Sequence, residues 1–126
     1  MELTIYHNPT CGISLNALAA IRAAGYEPRI LEYMSTPLSR SAIAALVECL
    51  NVPARSLVRS KEPLFGELGL DRKDVTEREL IDAMSEHPIL INRPIVVVQT
   101  NGRITARLCR PSETVKSLLA DAGANA

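Results

Sequence analysis

The chain has 126 residues, of which 47% are hydrophobic and 22% charged, an ordinary balance for a globular protein. Lys plus Arg equals Asp plus Glu at 14 each, so no net charge draws the chain to nucleic acid or to an anionic membrane, and neither partner is expected. Any site for an anion must therefore be a local cluster of arginines.

Targeting signals and metal motifs are also missing from the sequence. No apolar run approaches the ~18 residues of a membrane span, and no basic flank precedes a hydrophobic signal region, so we expect a cytoplasmic protein. The cysteines Cys11, Cys49 and Cys109 are odd in number and lack CxxC spacing, which argues against a disulfide framework and a zinc site. With only two histidines, no metal cofactor is expected.

The first third of the chain predicts a strand, a helix and a second strand. The apolar run Leu3–His7 predicts a short strand, and Ser14–Ala24 has the pattern of a helix that Gly25 ends. Glu27–Glu32 alternates polar and apolar residues and predicts a second strand. This order implies a parallel pair joined by a right-handed crossover.

The middle of the chain is predicted to be helical. Ser39 is placed to cap a helix over about Arg40–Leu50. Thr76 and Glu79 have the spacing of a capping box, which predicts a second helix ending near Glu86. We expect Cys49 to be part of the core, because it lies close to the apolar stripe of its helix.

The last third predicts two strands and a helix. Ile95–Val98 is a continuous apolar run, typical of a central strand buried on both faces. Asn101-Gly102 is a hairpin signal, so Ile104–Leu108 should return antiparallel. Pro111 is predicted to open the final helix at its first position.

The order βαβ, then helices, then ββα predicts an α/β protein with a three-layer thioredoxin-like fold. We expect one domain over residues 1–126, with a helical insertion at about 38–88 between its two halves.

Cys11 lies between a predicted strand end and a predicted helix start. Unpaired backbone N–H groups and the positive end of the helix dipole meet there, an environment that binds oxyanions and stabilises a thiolate. The alternative is a buried structural cysteine in a tight loop. His7 either raises the local positive potential or orders the loop backbone, and Asn8 and Ser14 are expected to hydrogen-bond the loop, Ser14 as the helix cap.

Four stretches carry a specific resemblance to a known family. They are Tyr6-His7-Asn8-Pro9 with Cys11-Gly12, Arg59 with Glu62-Pro63, the run from His87 to Val96 (HPILINRPIV), and the run from Arg107 to Glu113 (RLCRPSE). From about Leu3 to Leu119 the chain resembles the glutathione/glutaredoxin-dependent arsenate reductase family.

The resemblance implies a mechanism that also makes sense chemically. Cys11 would attack arsenate and form a covalent thiol–arsenic adduct, while Arg59, Arg93 and Arg110 surround the oxyanion. Arginine suits this task because its planar fork binds oxyanions in a bidentate way and stays protonated. Glutathione as co-substrate and glutaredoxin would then resolve the adduct and release arsenite, with no cofactor bound.

The Arg93-Pro94 bond adds a structural expectation. In thioredoxin-like proteins a cis-proline faces the active cysteine, so the resemblance suggests that Pro94 presents Arg93 to Cys11. The alternative is a trans-proline that merely starts the strand.

Two other functions stay open. Related proteins of this fold include redox-responsive regulators, which often use CxxC; here Ser14 replaces the second cysteine, so that disulfide is excluded. A thiol enzyme acting on another small electrophile is the third possibility. Leu15 stands where many family members have an arginine, which bears on oxyanion affinity. Cys109 is expected to be structural, and strand alternation leaves the direction of Arg107 open.

Overall fold

The computed structural model describes residues 1–124, which fall into two compact units. The first, called the sheet unit, consists of Met1–Tyr33 and the segment that begins at Arg93. The second, called the helical unit, is Met34–Asn92. The single domain over residues 1–126 stays a prediction, and residues 125 and 126 lie outside the described part. No helix within residues 1–124 has the length and apolar character needed to cross a membrane.

The sheet unit contains a four-stranded sheet in the order β2-β1-β3-β4. Its strands are β1 (Glu2–Tyr6), β2 (Arg29–Leu31), β3 (Ile95–Thr100) and β4 (Arg103–Leu108). Strands β1 and β2 are parallel, whereas β3 is antiparallel to both β1 and β4. The predicted parallel pair, central strand and hairpin are thereby confirmed.

The turn between β3 and β4 has the backbone that its residues predict. Asn101 has φ of 49° and Gly102 has φ of 78°, both in the left-handed region. Two consecutive positive φ angles match the right-handed twist of the flanking strands, which is why Asn-Gly is favoured at such hairpins.

Two helices, α1 (Gly12–Ala23) and α5 (Thr114–Ala124), pack against this sheet. Their buried side chains form one core with those of β1 and β3, and Cys109 is part of it. The members of this core are Leu3, Ile5, Ala17, Leu18, Ile21, Val96, Val98, Cys109, Val115, Leu118 and Ala122. Gly25, with φ of 94°, follows the end of α1 as predicted.

The start of α5 corrects one expectation. Pro111 does not occupy the first helical position, because the helix begins only at Thr114. The Thr114 N–H donates to the Pro111 carbonyl at 3.0 Å, so the proline opens the turn that precedes the helix.

The helical unit contains α2 (Arg40–Leu50), α3 (Pro63–Glu67) and α4 (Glu77–Glu86). The Ser39 hydroxyl accepts the Ala42 N–H at 3.1 Å, which confirms the predicted cap of α2. Both hydrogen bonds of the capping box between Thr76 and Glu79 are present at the start of α4. Since the cap satisfies N–H groups that the helix leaves unpaired, these residues fix where each helix begins.

Cys49 is exposed, so its expected place in the core is wrong. On α2 the buried residues are Ile43 and Leu46. Ile43, Leu46 and Cys49 are spaced three residues apart. Because the α-helix repeats every 3.6 residues, each step of three turns the side chain further round in the same direction, and Cys49 lies outside the apolar stripe.

Candidate active site

Cys11 is the residue that begins α1. It adopts an extended backbone with φ of −98° and ψ of 120°, and its carbonyl accepts the Leu15 N–H at 3.0 Å. Cys11 is therefore the N-cap, and the expectation that Ser14 is the cap is wrong. Because the helix starts at Gly12, two residues earlier than predicted, Ser14 falls on its third residue and is fully buried.

The surroundings of the Cys11 sulfur favour the thiolate. Partial burial raises the pKa of the thiol, and the N–H groups of Ser14 and Ile13 lower it. The guanidinium groups of Arg93 and Arg110 lower it as well, and the net pKa lies below that of an ordinary cysteine. Since the thiolate is the nucleophilic form, more of Cys11 is reactive at neutral pH.

Two arginines that are distant from Cys11 in the sequence lie close to its sulfur. Arg110 Nη1 lies 3.8 Å from Cys11 Sγ and donates to the Arg93 carbonyl at 3.0 Å. The Arg93–Pro94 peptide is cis, which agrees with the expectation for this bond. The Arg110–Pro111 peptide is also cis, which the sequence reading did not anticipate. The sheet unit thus brings Arg93 and Arg110 to Cys11, and Pro94 follows Arg93 through the cis peptide.

A buried hydrogen-bond network supports the loop before the cysteine. His7 Nδ1 lies 2.6 Å from Ser14 Oγ, which also accepts the Asn8 N–H at 3.1 Å. Burial lowers the pKa of His7, Glu32 raises it and Arg22 lowers it, with a net decrease. A neutral His7 supplies no positive potential at neutral pH, so the geometry favours the role of ordering the loop.

Asn8 connects the two ends of this loop. Its Oδ1 accepts the Thr10 N–H at 3.0 Å and the Thr10 hydroxyl at 2.7 Å. Its backbone carbonyl accepts the Cys11 N–H at 3.0 Å. Asn8 is therefore bonded both to the turn and to the residue that carries the nucleophile.

Arg59 belongs to the helical unit. Its Nε lies 3.5 Å from Glu62 Oε2, and its N–H donates to the Leu90 carbonyl at 2.7 Å. Its Nη1 is buried and has no hydrogen-bond partner among residues 1–124. A buried guanidinium N–H that lacks a partner is costly, so this group has the capacity to bind an anionic oxygen.

The sequence profile of the ArsC family matches residues 6–118. This chain belongs to the ArsC family. An arsenate reductase of Rhizobium meliloti (strain 1021) is 49% identical over 121 residues, which are 96% of this chain and 84% of that protein. An arsenate reductase of Escherichia coli (strain K12) is 46% identical over 121 residues, covering 96% of this chain and 83% of that one.

A solved structure supports the same family relationship. The arsenate reductase from Vibrio cholerae superposes on this ArsC-family chain with a TM-score of 0.86 and 38% identity, covering 94% of this chain and 98% of the other. The predicted α/β class and the resemblance to this family are both confirmed.

The structure of this ArsC-family chain also bears on three residues outside the proposed site, Cys109, Arg107 and Leu15. Cys109 is fully buried, and burial raises the pKa of its thiol to about 12, which confirms the expected structural role. Arg107, whose direction the sequence left open, donates from Nη2 to Asp121 at 2.8 Å. Leu15 is 47% exposed on the first turn after Cys11. No group of three or more metal-binding side chains occurs within residues 1–124.

Sequence reasoning missed Tyr33. This residue is only 1% exposed and follows β2 by two positions. Burial raises the pKa of its hydroxyl to about 12, against the opposing effects of Arg93 and of a hydrogen bond with the Asn8 side chain. The available signal was topological: the carboxyl ends of neighbouring parallel strands lie at one edge of a sheet, so a residue just after β2 lies beside the loop after β1.

Proposed function

We propose that this ArsC-family protein is an arsenate reductase in which Cys11 is the nucleophile. The observation that carries the proposal is the Cys11 sulfur, held at the start of α1 with Arg110 Nη1 at 3.8 Å and with a lowered thiol pKa. An oxyanion that approaches this sulfur meets guanidinium groups that offset its charge. The relatives named arsenate reductase, at 46% and 49% identity, support arsenate as that oxyanion.

The proposed reaction begins with attack by the Cys11 thiolate on arsenic(V). A sulfur–arsenic bond forms, and one arsenate oxygen leaves as water after protonation. Arg93 and Arg110 stabilise the negative charge on the remaining oxygens through charge-assisted hydrogen bonds. We assign Arg59 to the same oxyanion, on the basis of the family resemblance and of its buried, unpartnered Nη1.

The second step supplies the electrons. Reduction of arsenic(V) to arsenic(III) takes two electrons, and two thiols deliver them when they join as a disulfide. We propose glutathione as the second thiol, so that arsenite leaves and Cys11 remains in a mixed disulfide with glutathione. Glutaredoxin then attacks the mixed disulfide by thiol–disulfide exchange and restores the Cys11 thiol.

Cys109 is poorly suited to resolve the adduct, which favours an external thiol. Cys109 is fully buried, and its pKa of about 12 leaves almost no thiolate at neutral pH. Reduced glutathione is abundant in the cytoplasm, where thiols stay unpaired, so we propose that compartment for the reaction.

A redox-responsive regulator is the alternative function. Such a protein would show oxidation of Cys11 but no multiple turnover with arsenate.

The direct test is an assay of purified protein with arsenate, glutathione and glutaredoxin, in which the arsenite formed is measured. We expect many arsenite molecules per protein and none with Cys11→Ser. Cys49→Ser is the matched control and should keep full activity, because that thiol is exposed on α2. Failure of the wild-type protein to form arsenite would reject the proposed function.

A further inference from the structure

The backbone of Arg59 is held by a short antiparallel bridge within the helical unit. Its N–H donates to the Leu90 carbonyl at 2.7 Å, and the Asn92 N–H donates to the Leu57 carbonyl at 2.8 Å. These two bonds restrain the chain on both sides of the bridge. With its backbone fixed in this way, the direction of the Arg59 guanidinium depends on the side chain alone.

Glu62 faces this guanidinium from three residues further along the chain. Its Oε2 lies 3.5 Å from Arg59 Nε, and the side chains of Arg59 and Glu62 are 24% and 21% exposed. The Glu62 N–H donates to the Arg59 carbonyl at 3.2 Å, and the Glu62 carbonyl accepts the Phe65 N–H at 3.0 Å. Glu62 precedes α3, but within residues 1–124 its carboxylate makes no hydrogen bond that caps this helix. The carboxylate is therefore directed at Arg59 and is not used by the helix.

An arginine side chain has many rotamers, and one that must be ordered on binding holds an anion less tightly than one already in place. The guanidinium is a rigid plane, so a carboxylate that holds Nε also restricts where Nη1 lies. Arg59 Nη1 is buried and has no hydrogen-bond partner among residues 1–124. From this geometry we propose that Glu62 is a positioning residue for Arg59, which keeps Nη1 in place for an oxygen of the oxyanion. The inference rests on the proposed function, in which Arg59 binds that oxyanion.

The charge of Glu62 acts in the opposite direction to its positioning role. A carboxylate beside Arg59 offsets part of the positive charge and by itself weakens the attraction for an anion. Because the pair is partly exposed, water and salt screen this effect, and the fixed guanidinium should outweigh it. Removal of the carboxylate should then weaken binding of the oxyanion, whereas an effect of charge alone would strengthen it. The sign of the change separates the two.

The test compares Glu62→Ala and Glu62→Gln with Glu67→Ala, all in a Cys49→Ser background. Glu67 is exposed at the last position of α3, so this matched control loses the same charge from the same unit. Iodoacetamide alkylates Cys11, and the arsenate concentration that halves the alkylation rate measures binding without turnover. The melting temperature is recorded for each variant. Where arsenite is formed, kcat and KM for arsenate are measured as well.

We expect Glu62→Ala to raise the protecting arsenate concentration by about 3- to 10-fold, because the released guanidinium must be ordered when the anion binds. Glu62→Gln keeps an oxygen opposite Nε and should raise it by about 2-fold at most. The KM for arsenate should rise with the protecting concentration, while kcat stays within about 2-fold. Alkylation without arsenate should be unchanged, because the groups that lower the pKa of Cys11 all remain. Glu67→Ala should leave every measurement unchanged.

A double variant tests the route through Arg59. In an Arg59→Met background, Glu62→Ala should have almost no further effect on protection by arsenate, because the residue that Glu62 positions is already gone. Full additivity of the two changes, or tighter protection in Glu62→Ala alone, would overturn the proposal. Unchanged protection in Glu62→Ala, accompanied by a lower melting temperature, would show instead that the ion pair serves stability alone.

The proposed function and the positioning role fail in different ways. If the parent protein is protected by arsenate but forms no arsenite, the proposed function fails, and weaker protection in Glu62→Ala still supports the positioning role. If arsenite is formed and Glu62→Ala is protected as well as the parent, only the positioning role fails. A parent protein that arsenate does not protect would overturn both.

Discussion

Replacement of Arg110 by Met tests the electrostatic account of the Cys11 thiolate. Arg110 Nη1 lies 3.8 Å from the sulfur. At that distance two unit charges attract by about 1 kcal/mol in water and by about 4 kcal/mol at the effective dielectric constant near a protein surface. Arg110 is exposed, so the lower part of this range applies, about 1–2 kcal/mol. Arg110→Met should therefore reduce the acid dissociation constant of Cys11 by about 5- to 30-fold.

The assay is the rate of iodoacetamide alkylation as a function of pH, in a Cys49→Ser background. The profile of Arg110→Met should move to higher pH, and that of Arg110→Lys should lie between Arg110→Met and the parent, because the charge is kept but the planar fork is lost. The shift should shrink as salt is added, since exposed charges are screened. Arg103→Met, an exposed arginine at the start of β4, is the matched control.

An alkylation profile that is the same in Arg110→Met and in the parent protein would refute this reasoning. It would mean that Arg93 and the N–H groups at the start of α1 set the reactivity of Cys11 without Arg110. A profile shifted equally in Arg103→Met would point to the net charge of the protein as the cause.

Three further changes test separate parts of the structure. Leu15→Arg should lower KM for arsenate at low salt, because it adds a positive charge beside Cys11. It should change the free energy of unfolding by less than about 0.5 kcal/mol, because Leu15 is 47% exposed, and a large loss of stability in urea would contradict this. Ser14→Ala should destabilise the fold by about 1–3 kcal/mol in urea unfolding, because it leaves the Asn8 N–H and the His7 ring buried without their partner. The pKa of His7 is lowered in the fold, so the unfolded chain binds the proton more readily, and stability should fall as the pH drops below about 6.5; His7→Gln should flatten that fall.

Local sequence signals predicted the elements that local chemistry determines. Asn101-Gly102 gave the hairpin, and Thr76 with Glu79 gave the start of α4, because turn conformation and helix caps depend on a few adjacent residues. The resemblance drew attention to Arg93 and Arg110, which the sheet then brings to Cys11. Their residue types fit an anion site even without that resemblance.

The predictions that were wrong or missing concern residues whose role depends on contacts with distant parts of the chain or on the exact start of a helix. Ser14 is a good cap by residue type, yet its hydroxyl is used by the His7 ring and the Asn8 N–H, and Cys11 begins the helix instead. Pro111 suits a first helical position, but it opens the preceding turn. Tyr33 acquires its surroundings only when β2 pairs with β1, so no pattern around it in the sequence marks it.

In the proposed reaction Cys11 carries the chemistry and an external thiol completes it. The most direct measurement is mass spectrometry of the protein trapped after incubation with arsenate and glutathione, without glutaredoxin. We expect one glutathione on Cys11, none on Cys109, and the same product in Cys49→Ser. A disulfide between Cys11 and either Cys49 or Cys109, with turnover lost when that second cysteine is replaced, would contradict it.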